Sequence, residues 1–152
     1  MNIEPKAISA VDKASITEHL CITKLMKLGY PASLVNREGT DLTMLVDNFL
    51  LRIQVKSSKI KRTCWNRPGF GYHFSITKGG GNNKSRVTSK DCDILAFVAF
   101  ERERVLFKHI SEHTNKFTMR KPKNFFDEPD ILKIEKDSLN KALQIHKELY
   151  HA

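Results

Sequence analysis

Apolar residues recur at two different spacings along this chain, and the change of spacing separates helical from strand-forming segments. The first segment, residues 8–28, has helical spacing, and Gly29 and Pro31 predict its end. Its stripe consists of Val11, Ala14, Glu18, Cys21, Ile22, Leu25 and Leu28. A second helix, capped by Asp137 or Ser138, has Leu139, Ala142, Leu143, His146, Leu149 and Tyr150 on one side. We expect it to close the core or to pair with a second subunit.

The clearest strand pattern is a hairpin formed by residues 42–46 and 49–55, which are rich in large apolar and β-branched side chains. Asp47 and Asn48 make a two-residue turn of the kind that accepts positive φ. A loop of this length fixes the register of the two strands, so the numbers of paired residues sum to 95.

This register predicts a cluster of polar side chains at the open end of the hairpin. Asp41 lies opposite Gln54, and the period of two along a strand puts Lys56 on the same face. Local geometry alone therefore gathers a carboxylate, an amide oxygen and an ammonium group. Such a trio is a candidate metal and phosphate site.

Glu18 is the one carboxylate in the stripe of the first helix, and two interpretations of it stay open. In the first, Ser15 and Glu18 form a capping box and the helix starts at Ser15. In the second, the helix starts earlier and Glu18 points over the sheet towards Asp41. Apolar spacing from Ile8 onwards favours the earlier start.

Further strands are predicted on both sides of the central hairpin. A short strand is expected at 32–36, and further hairpins at 63–77 and 94–110. Tyr72 and Phe74 alternate with polar residues, as in a half-buried strand whose aromatic side chains belong to the core. The order of helix, three hairpins and helix predicts an α/β fold.

The remaining segments carry weaker signals. Seven consecutive apolar residues, 94–100, predict a central strand, and Asp91 and Asp93 precede it as turn formers or, less simply, as metal ligands. The other predictions are a loop at 78–83, a turn or helix at 85–90, a loop at 111–130 and an edge strand at 131–134.

Length and composition predict a single soluble domain over residues 1–152. No apolar run approaches the roughly 20 residues of a membrane helix, and the first ten residues lack the pattern of a secretory signal. Cys21, Cys64 and Cys92 are odd in number and widely spaced, which favours neither disulfides nor zinc and suits a reducing, bacterial-type cytosol.

Charge is distributed unevenly along the chain. Residues 48–90 contain no acidic residue and hold ten of the 26 basic residues: Arg52, Lys56, Lys59, Lys61, Arg62, Arg67, Lys78, Lys84, Arg86 and Lys90. The net charge of +9 therefore lies in this segment, because the rest of the chain carries 16 basic and 17 acidic residues. A local field of this kind favours a polyanionic partner.

Phosphate contacts are expected from exposed positions in this segment, namely Lys59, Lys61, Arg62, Lys78, Lys84 and Arg86. Asn66 and Arg67 stand at the expected tip of the second hairpin. A basic ribbon with interleaved aromatic residues suits a groove of nucleic acid, so these two residues are candidates for reading bases.

The order of these motifs resembles the PD-(D/E)XK nuclease superfamily. Asp41 matches the motif's aspartate, the triplet from Gln54 through Val55 to Lys56 matches acidic-x-Lys with Gln in place of the acid, and Glu18 matches a helical glutamate of many members. Together with the small size and the strand that begins at Asp91, the chain looks most like bacterial group I intron-encoded homing endonucleases. The resemblance covers about residues 8–110.

The resemblance implies a restriction-endonuclease-like core, a central mixed β-sheet flanked by helices, to which a basic β-hairpin is added. It implies hydrolysis of DNA phosphodiesters with Mg²⁺ or Mn²⁺. The ion would be held by Asp41, Gln54, the Val55 carbonyl and Glu18. Lys56 would orient or deprotonate the attacking water. Gln54 brings no charge, so a lower affinity for the metal is expected.

Other functions fit the same residues. A Holliday-junction resolvase of the superfamily would recognise branched DNA, and a non-catalytic DNA-binding module could use the same fold. An RNA-binding protein would bind RNA more tightly than duplex DNA and would not need Asp41. Because one site cuts one strand, cleavage of both strands implies at least a dimer, and the resemblance also permits a tetramer.

Overall fold

Two helices and ten strands make up the part of the chain that the computed structural model describes, residues 6–63, 69–79 and 81–150. In chain order they are α1 (Ala10–Lys27), β1 (Ala32–Arg37), β2 (Thr40–Val46), β3 (Phe49–Ser58), β4 (Ile60–Thr63), β5 (Gly69–Ser75), β6 (Thr77–Lys78), β7 (Ser85–Arg86), β8 (Ile94–Ala99), β9 (Arg104–His109), β10 (Thr118–Pro122) and α2 (Lys133–Tyr150). Short 3₁₀ turns lie at Gly81–Asn83 and Ile110–His113. Neither of the described helices is both long and apolar enough to cross a membrane.

A central mixed sheet of five strands confirms the predicted α/β class. The order is β1-β2-β3-β8-β9, with β3 and β8 parallel and the other neighbours antiparallel. Every residue of β8 is buried, because the strand is paired on both sides and covered on both faces. The apolar run at 94–100 is thus an interior strand, as expected.

The central hairpin has the register that its turn predicts. In β2 and β3, Leu42 pairs with Ile53 and Val46 pairs with Phe49, so each pair sums to 95. Asp47 has a φ of 52°, which is the left-handed conformation that the tight turn needs. Register decides which side chains of β3 face the helices and which face away, so it also positions the candidate site.

Apolar side chains form one core on each face of the central sheet. On one face, α1 and α2 pack against a cluster that includes Cys21, Leu25, Leu42, Ile53, Phe107 and Leu139. On the other face lies the small sheet β10-β5-β4, whose residues Tyr72 and Phe74 are fully buried against Phe97 and Phe126. The alternation predicted for β5 is therefore confirmed, and these two aromatic residues are core.

The first helix begins at Ala10, because Ser9 is the N-cap and accepts a hydrogen bond from the backbone N–H of Asp12 at 3.1 Å. A start at a Ser15 capping box is therefore wrong. The predicted stripe holds from Cys21 onwards, but Val11 is 80% exposed because the first turns of α1 lie outside the core.

Three predictions between β7 and α2 are wrong. The expected loop at 111–130 contains β10, which ends at Pro122 and can do so because an edge strand tolerates proline. The expected edge strand at 131–134 is the entry to α2, which begins at Lys133. Ser138 lies inside this helix and does not cap it, since its hydroxyl accepts the Phe107 N–H at 2.9 Å.

Two predictions in the basic segment also need correction. The strand expected at 49–55 continues to Ser58, and β4 begins at Ile60, before the hairpin expected at 63–77. The expected turn or helix at 85–90 begins with β7, which pairs antiparallel with β6. In both places pairing with another strand overrides the weak preference of polar residues for turns.

A buried carboxylate joins the two helices and the edge of the sheet. Glu135, in the first turn of α2, is fully buried, with Lys24 of α1 at 3.4 Å and Arg104 of β9 at 4.0 Å. Sequence reasoning missed this contact, because the three residues come together only when both helices dock on the same face.

We predict that Lys24→Met lowers the free energy of unfolding by about 2–3 kcal/mol, because it leaves the buried Glu135 with one more distant partner. Urea unfolding measures this change. Lys27→Met, which removes an exposed lysine from the same helix, is the matched control and should change stability little. Restored stability in a Lys24→Met, Glu135→Gln double variant would support the explanation, and a neutral effect of Lys24→Met would contradict it.

Candidate active site

Asp41 is held at the start of β2 by a backbone donor from the neighbouring strand. Its Oδ2 accepts a hydrogen bond from the Val55 N–H at 2.8 Å. The carboxylate therefore lies at the edge between the two faces of the sheet, next to the strand that carries Gln54 and Lys56. Burial raises the pKa of Asp41, and the Val55 hydrogen bond and the Lys56 charge offset part of that rise.

The residues before Asp41 pack tightly against the segment that precedes β8. Gly39 has a φ of 81°, and a Cβ added to it would lie 2.7 Å from the Cβ of Asp91. The Thr40 hydroxyl donates a hydrogen bond to the Asp91 carbonyl. Gly39 thus permits this close approach, and the contact lies directly before the first residues of β2.

Glu18 approaches Asp41 from the helix side of the sheet. It is half-buried, and its pKa is raised first by burial and then by the negative charge of Asp41. The early start of α1 and this effect of Asp41 favour the second interpretation, in which Glu18 points over the sheet towards Asp41. Two carboxylates that raise each other's cost of ionisation form a site that favours a cation.

Gln54 is buried, with 7% of its surface exposed, and lies beside Leu95 of β8. Its side-chain oxygen, Oε1, has no hydrogen-bond partner among the described residues. A buried carbonyl without a partner costs about 1–3 kcal/mol of folding free energy. Such an oxygen can accept a hydrogen bond or bind a cation, which makes Gln54 a candidate ligand.

Lys56 lies on the same face of β3 as Gln54, two residues further along. Its Nζ donates a hydrogen bond to the Thr77 carbonyl of β6 at 2.5 Å. Burial lowers the pKa of Lys56, and the charge of Asp41 offsets part of this effect. Sequence reasoning missed Thr77, because a backbone carbonyl has no residue-type signal.

Asp41 interacts with two of the predicted residues, because its charge acts on both Glu18 and Lys56, and Gln54 lies on the same face of β3 as Lys56. Glu18 comes from the helix side, Gln54 and Lys56 come from the opposite face, and Asp41 stands at the boundary between them. Among the described residues, no three His, Cys, Asp or Glu side chains are grouped so that they could hold a metal. An ion held here would therefore need the Gln54 amide and a backbone carbonyl besides the two carboxylates.

The two aspartates before β8 have structural partners. The Asp91 carboxylate accepts hydrogen bonds from the Lys78 ammonium and, at 2.9 Å, from the Thr88 N–H. Asp93 pairs with Arg52 through an ion pair of 3.1 Å. These contacts agree with the prediction that the two aspartates form turns. The Lys78 side chain links β6 to the loop before β8.

The other residues predicted to bind DNA occupy different surroundings. Lys59, Lys61 and Lys84 are exposed, and Arg62 lies in β4. Arg86 is half-buried, with its guanidinium 5.5 Å from the centre of the Phe117 ring. The described residues do not include Cys64, Trp65, Asn66 or Arg67.

The raised pKa values of Asp41 and Glu18 predict how stability depends on pH. Their ordinary values are 3.8 and 4.5, so above about pH 4 the folded chain binds more protons than the unfolded chain. The contribution of these two groups to the free energy of unfolding therefore falls as pH rises through their folded-state pKa values.

The Asp41→Asn variant lacks one of these two carboxyl groups, so it should lose less stability than wild type as pH rises. The free energy of unfolding of the variant minus that of wild type should therefore increase from about pH 3 to about pH 7. Urea unfolding across this range, without divalent cations, tests it. Asp47→Asn at the exposed turn is the control and should follow the wild-type curve. A curve for Asp41→Asn that is also parallel to wild type would contradict the electrostatic description.

Comparison with known proteins extends this picture to the whole fold. No protein-family model matches the chain, and no curated protein matches it. Among solved structures, the chain is similar to a bacterial homing endonuclease, I-Ssp6803I, with a TM-score of 0.67 and 18% sequence identity. The match covers 94% of this chain and 97% of that chain. The central mixed sheet and its two helices therefore have the fold of an endonuclease.

Proposed function

We propose that this protein is a site-specific DNA endonuclease of the homing type, which hydrolyses phosphodiester bonds with Mg²⁺ or Mn²⁺ and acts as a homo-oligomer. The observation that carries the proposal is the unpartnered, buried Oε1 of Gln54 beside Lys56, with Asp41 and Glu18 adjoining. The similarity to a bacterial homing endonuclease supports the choice of substrate and reaction. The PD-(D/E)XK motif supports the assignment of these same residues.

The chemistry of the donors fits a hard divalent cation. Asp41 and Glu18 supply carboxylates, and the Gln54 amide and the Val55 carbonyl supply neutral oxygens, which is the ligand type that Mg²⁺ prefers. The cation would relieve the mutual repulsion of the two carboxylates and give the Gln54 oxygen a partner. When bound, it would polarise the phosphate and lower the pKa of a bound water.

Lys56 has the properties that the reaction needs beside this site. Its lowered pKa brings the amine nearer to its neutral form, which can take a proton from the attacking water. In its charged form it donates hydrogen bonds to phosphate oxygens as negative charge develops on them. The Thr77 carbonyl accepts a hydrogen bond from the Lys56 ammonium and holds it in place. A phosphate oxygen that replaced this carbonyl would be a stronger acceptor for the same ammonium.

The acid-free segment supports DNA as the partner. Lys59, Lys61 and Lys84 are exposed on this part of the chain, and contacts to the phosphate backbone give affinity without sequence preference. Bases would be recognised by other residues, for which Asn66 and Arg67 remain the candidates. A homo-oligomer supplies the second site that cleavage of both strands requires.

A non-catalytic DNA-binding module is the second candidate, and Gln54 is the observation that favours it. A neutral amide replaces the acid of the motif, and no cluster of three acidic or imidazole ligands occurs in the described residues. This candidate predicts binding of DNA without cleavage.

Cleavage kinetics distinguish the two candidates. A randomised plasmid library, incubated with the purified protein and Mg²⁺, supplies the cleaved sites that serve as substrates. We expect Lys56→Ala to lower the single-turnover cleavage rate at least about 10²-fold and to retain DNA binding. Lys136→Ala is the charge-matched control, because Lys136 is an exposed lysine of α2. This variant should cleave like wild type. Binding without cleavage of any library member would overturn the enzyme proposal.

The metal site has a test that does not depend on activity. Mg²⁺ at about ten times its Kd should raise the free energy of unfolding of the wild type by about 1.4 kcal/mol. Gln54→Leu should lose most of this response. Without Mg²⁺ the variant should be as stable as wild type or more stable, because a buried, unpartnered oxygen is removed.

Gln144→Leu is the matched control for that measurement, since Gln144 is exposed on α2. It should respond to Mg²⁺ as the wild type does. An equal Mg²⁺ response of Gln54→Leu and wild type would show that the Gln54 oxygen is not a ligand, whatever the cleavage assay gives.

A further inference from the structure

Two lysine side chains from different parts of the chain lie over one aromatic ring. The ring belongs to Phe100, which follows β8 directly and is half-exposed. The Lys13 ammonium lies 5.1 Å from the ring centre, and the Lys59 ammonium lies 5.5 Å from it. Lys13 comes from the second turn of α1, whereas Lys59 connects β3 to β4. Cation–π attraction to the shared ring holds two like charges near each other.

A third lysine and one carboxylate complete this cluster. Burial lowers the pKa of Lys13, and the charges of Lys59 and then Lys61 lower it further. Glu101 acts in the opposite direction, but its Oε2 also accepts the Ile60 N–H at 3.4 Å. The ammonium groups of Lys13 and Lys59 thus share one ring, and an anion bound beside them would relieve their repulsion.

The cluster lies on the two elements that also carry the candidate active site. Glu18 is five residues after Lys13 on α1, or about 7.5 Å along the helix axis. Lys59 is three residues after Lys56, or about 10 Å along a strand. Both spacings are short compared with the length of a DNA site, so a strand that reaches the candidate active site can also reach the cluster.

We propose that Lys13 and Lys59, which share the Phe100 ring, bind the phosphate backbone of DNA beside the phosphate at the active site. The inference rests on the proposed function and adds to it a residue, Lys13, that lies outside the acid-free segment. The ring fixes the direction of the two ammonium groups before DNA arrives, so less conformational freedom is lost on binding.

Salt dependence of binding tests the role of Lys13. Fluorescence anisotropy with a labelled duplex of about 30 base pairs gives the affinity between 50 and 200 mM NaCl. Lys13→Ala should lower the salt slope by about 0.9, so its affinity should fall roughly threefold less than that of wild type over this range. Lys27→Ala removes the same charge from the exposed far end of α1 and should leave the slope unchanged.

Phe100→Leu tests the ring separately, because it keeps every charge. Its slope should lie between those of wild type and Lys13→Ala, and thermal unfolding confirms that each variant is folded. Equal slopes for Lys13→Ala and Lys27→Ala, with normal DNA cleavage by wild type, would overturn this inference and leave the endonuclease proposal intact. Absence of duplex binding by the wild type would overturn both.

Discussion

The hydrogen bond between the Val55 N–H and the Asp41 carboxylate is the contact on which the candidate site depends. It joins the two strands of the central hairpin beyond their last backbone pair and keeps an acid in a partly buried place. Lys56 lies close enough to offset part of the charge of this acid, and Gly39 packs against Asp91 just before its strand. A site of this kind is held by the fold and does not form by chance on a surface.

The same contacts explain why the site costs stability in the free protein. Asp41 and Glu18 raise each other's cost of ionisation, burial disfavours the charge of Lys56, and the Gln54 oxygen is buried without a partner among the described residues. Stability that a binding site gives up in this way can be regained only from a ligand with opposite charge and suitable donors or acceptors. This cost is of the kind expected for the cation proposed above.

Local rules predicted much of the fold and of the site, and tertiary pairing decided the rest. The two-residue turn at Asp47 fixed the register that brings Asp41 to β3, so the core of the site followed from the sequence. The position of Asp41 at the boundary of the two faces, and the carbonyl that holds Lys56, did not follow, because they depend on where β6 docks. The start of α2 was missed for the same reason: Glu135 is stabilised by residues of α1 and β9 that are remote in sequence.

The parallel pairing of β3 with β8 has a consequence for how such a protein can change. Parallel neighbours require the chain to leave the sheet and return, and this excursion, residues 59–93, carries most of the acid-free segment. Strand register is set within β3 and β8, so mutations in the excursion that spare Thr77 and Asp91, which contact Lys56 and Thr40, leave the strands of the candidate site in place. Under the proposed function, the other positions of the excursion could change the recognised DNA sequence without altering the candidate site.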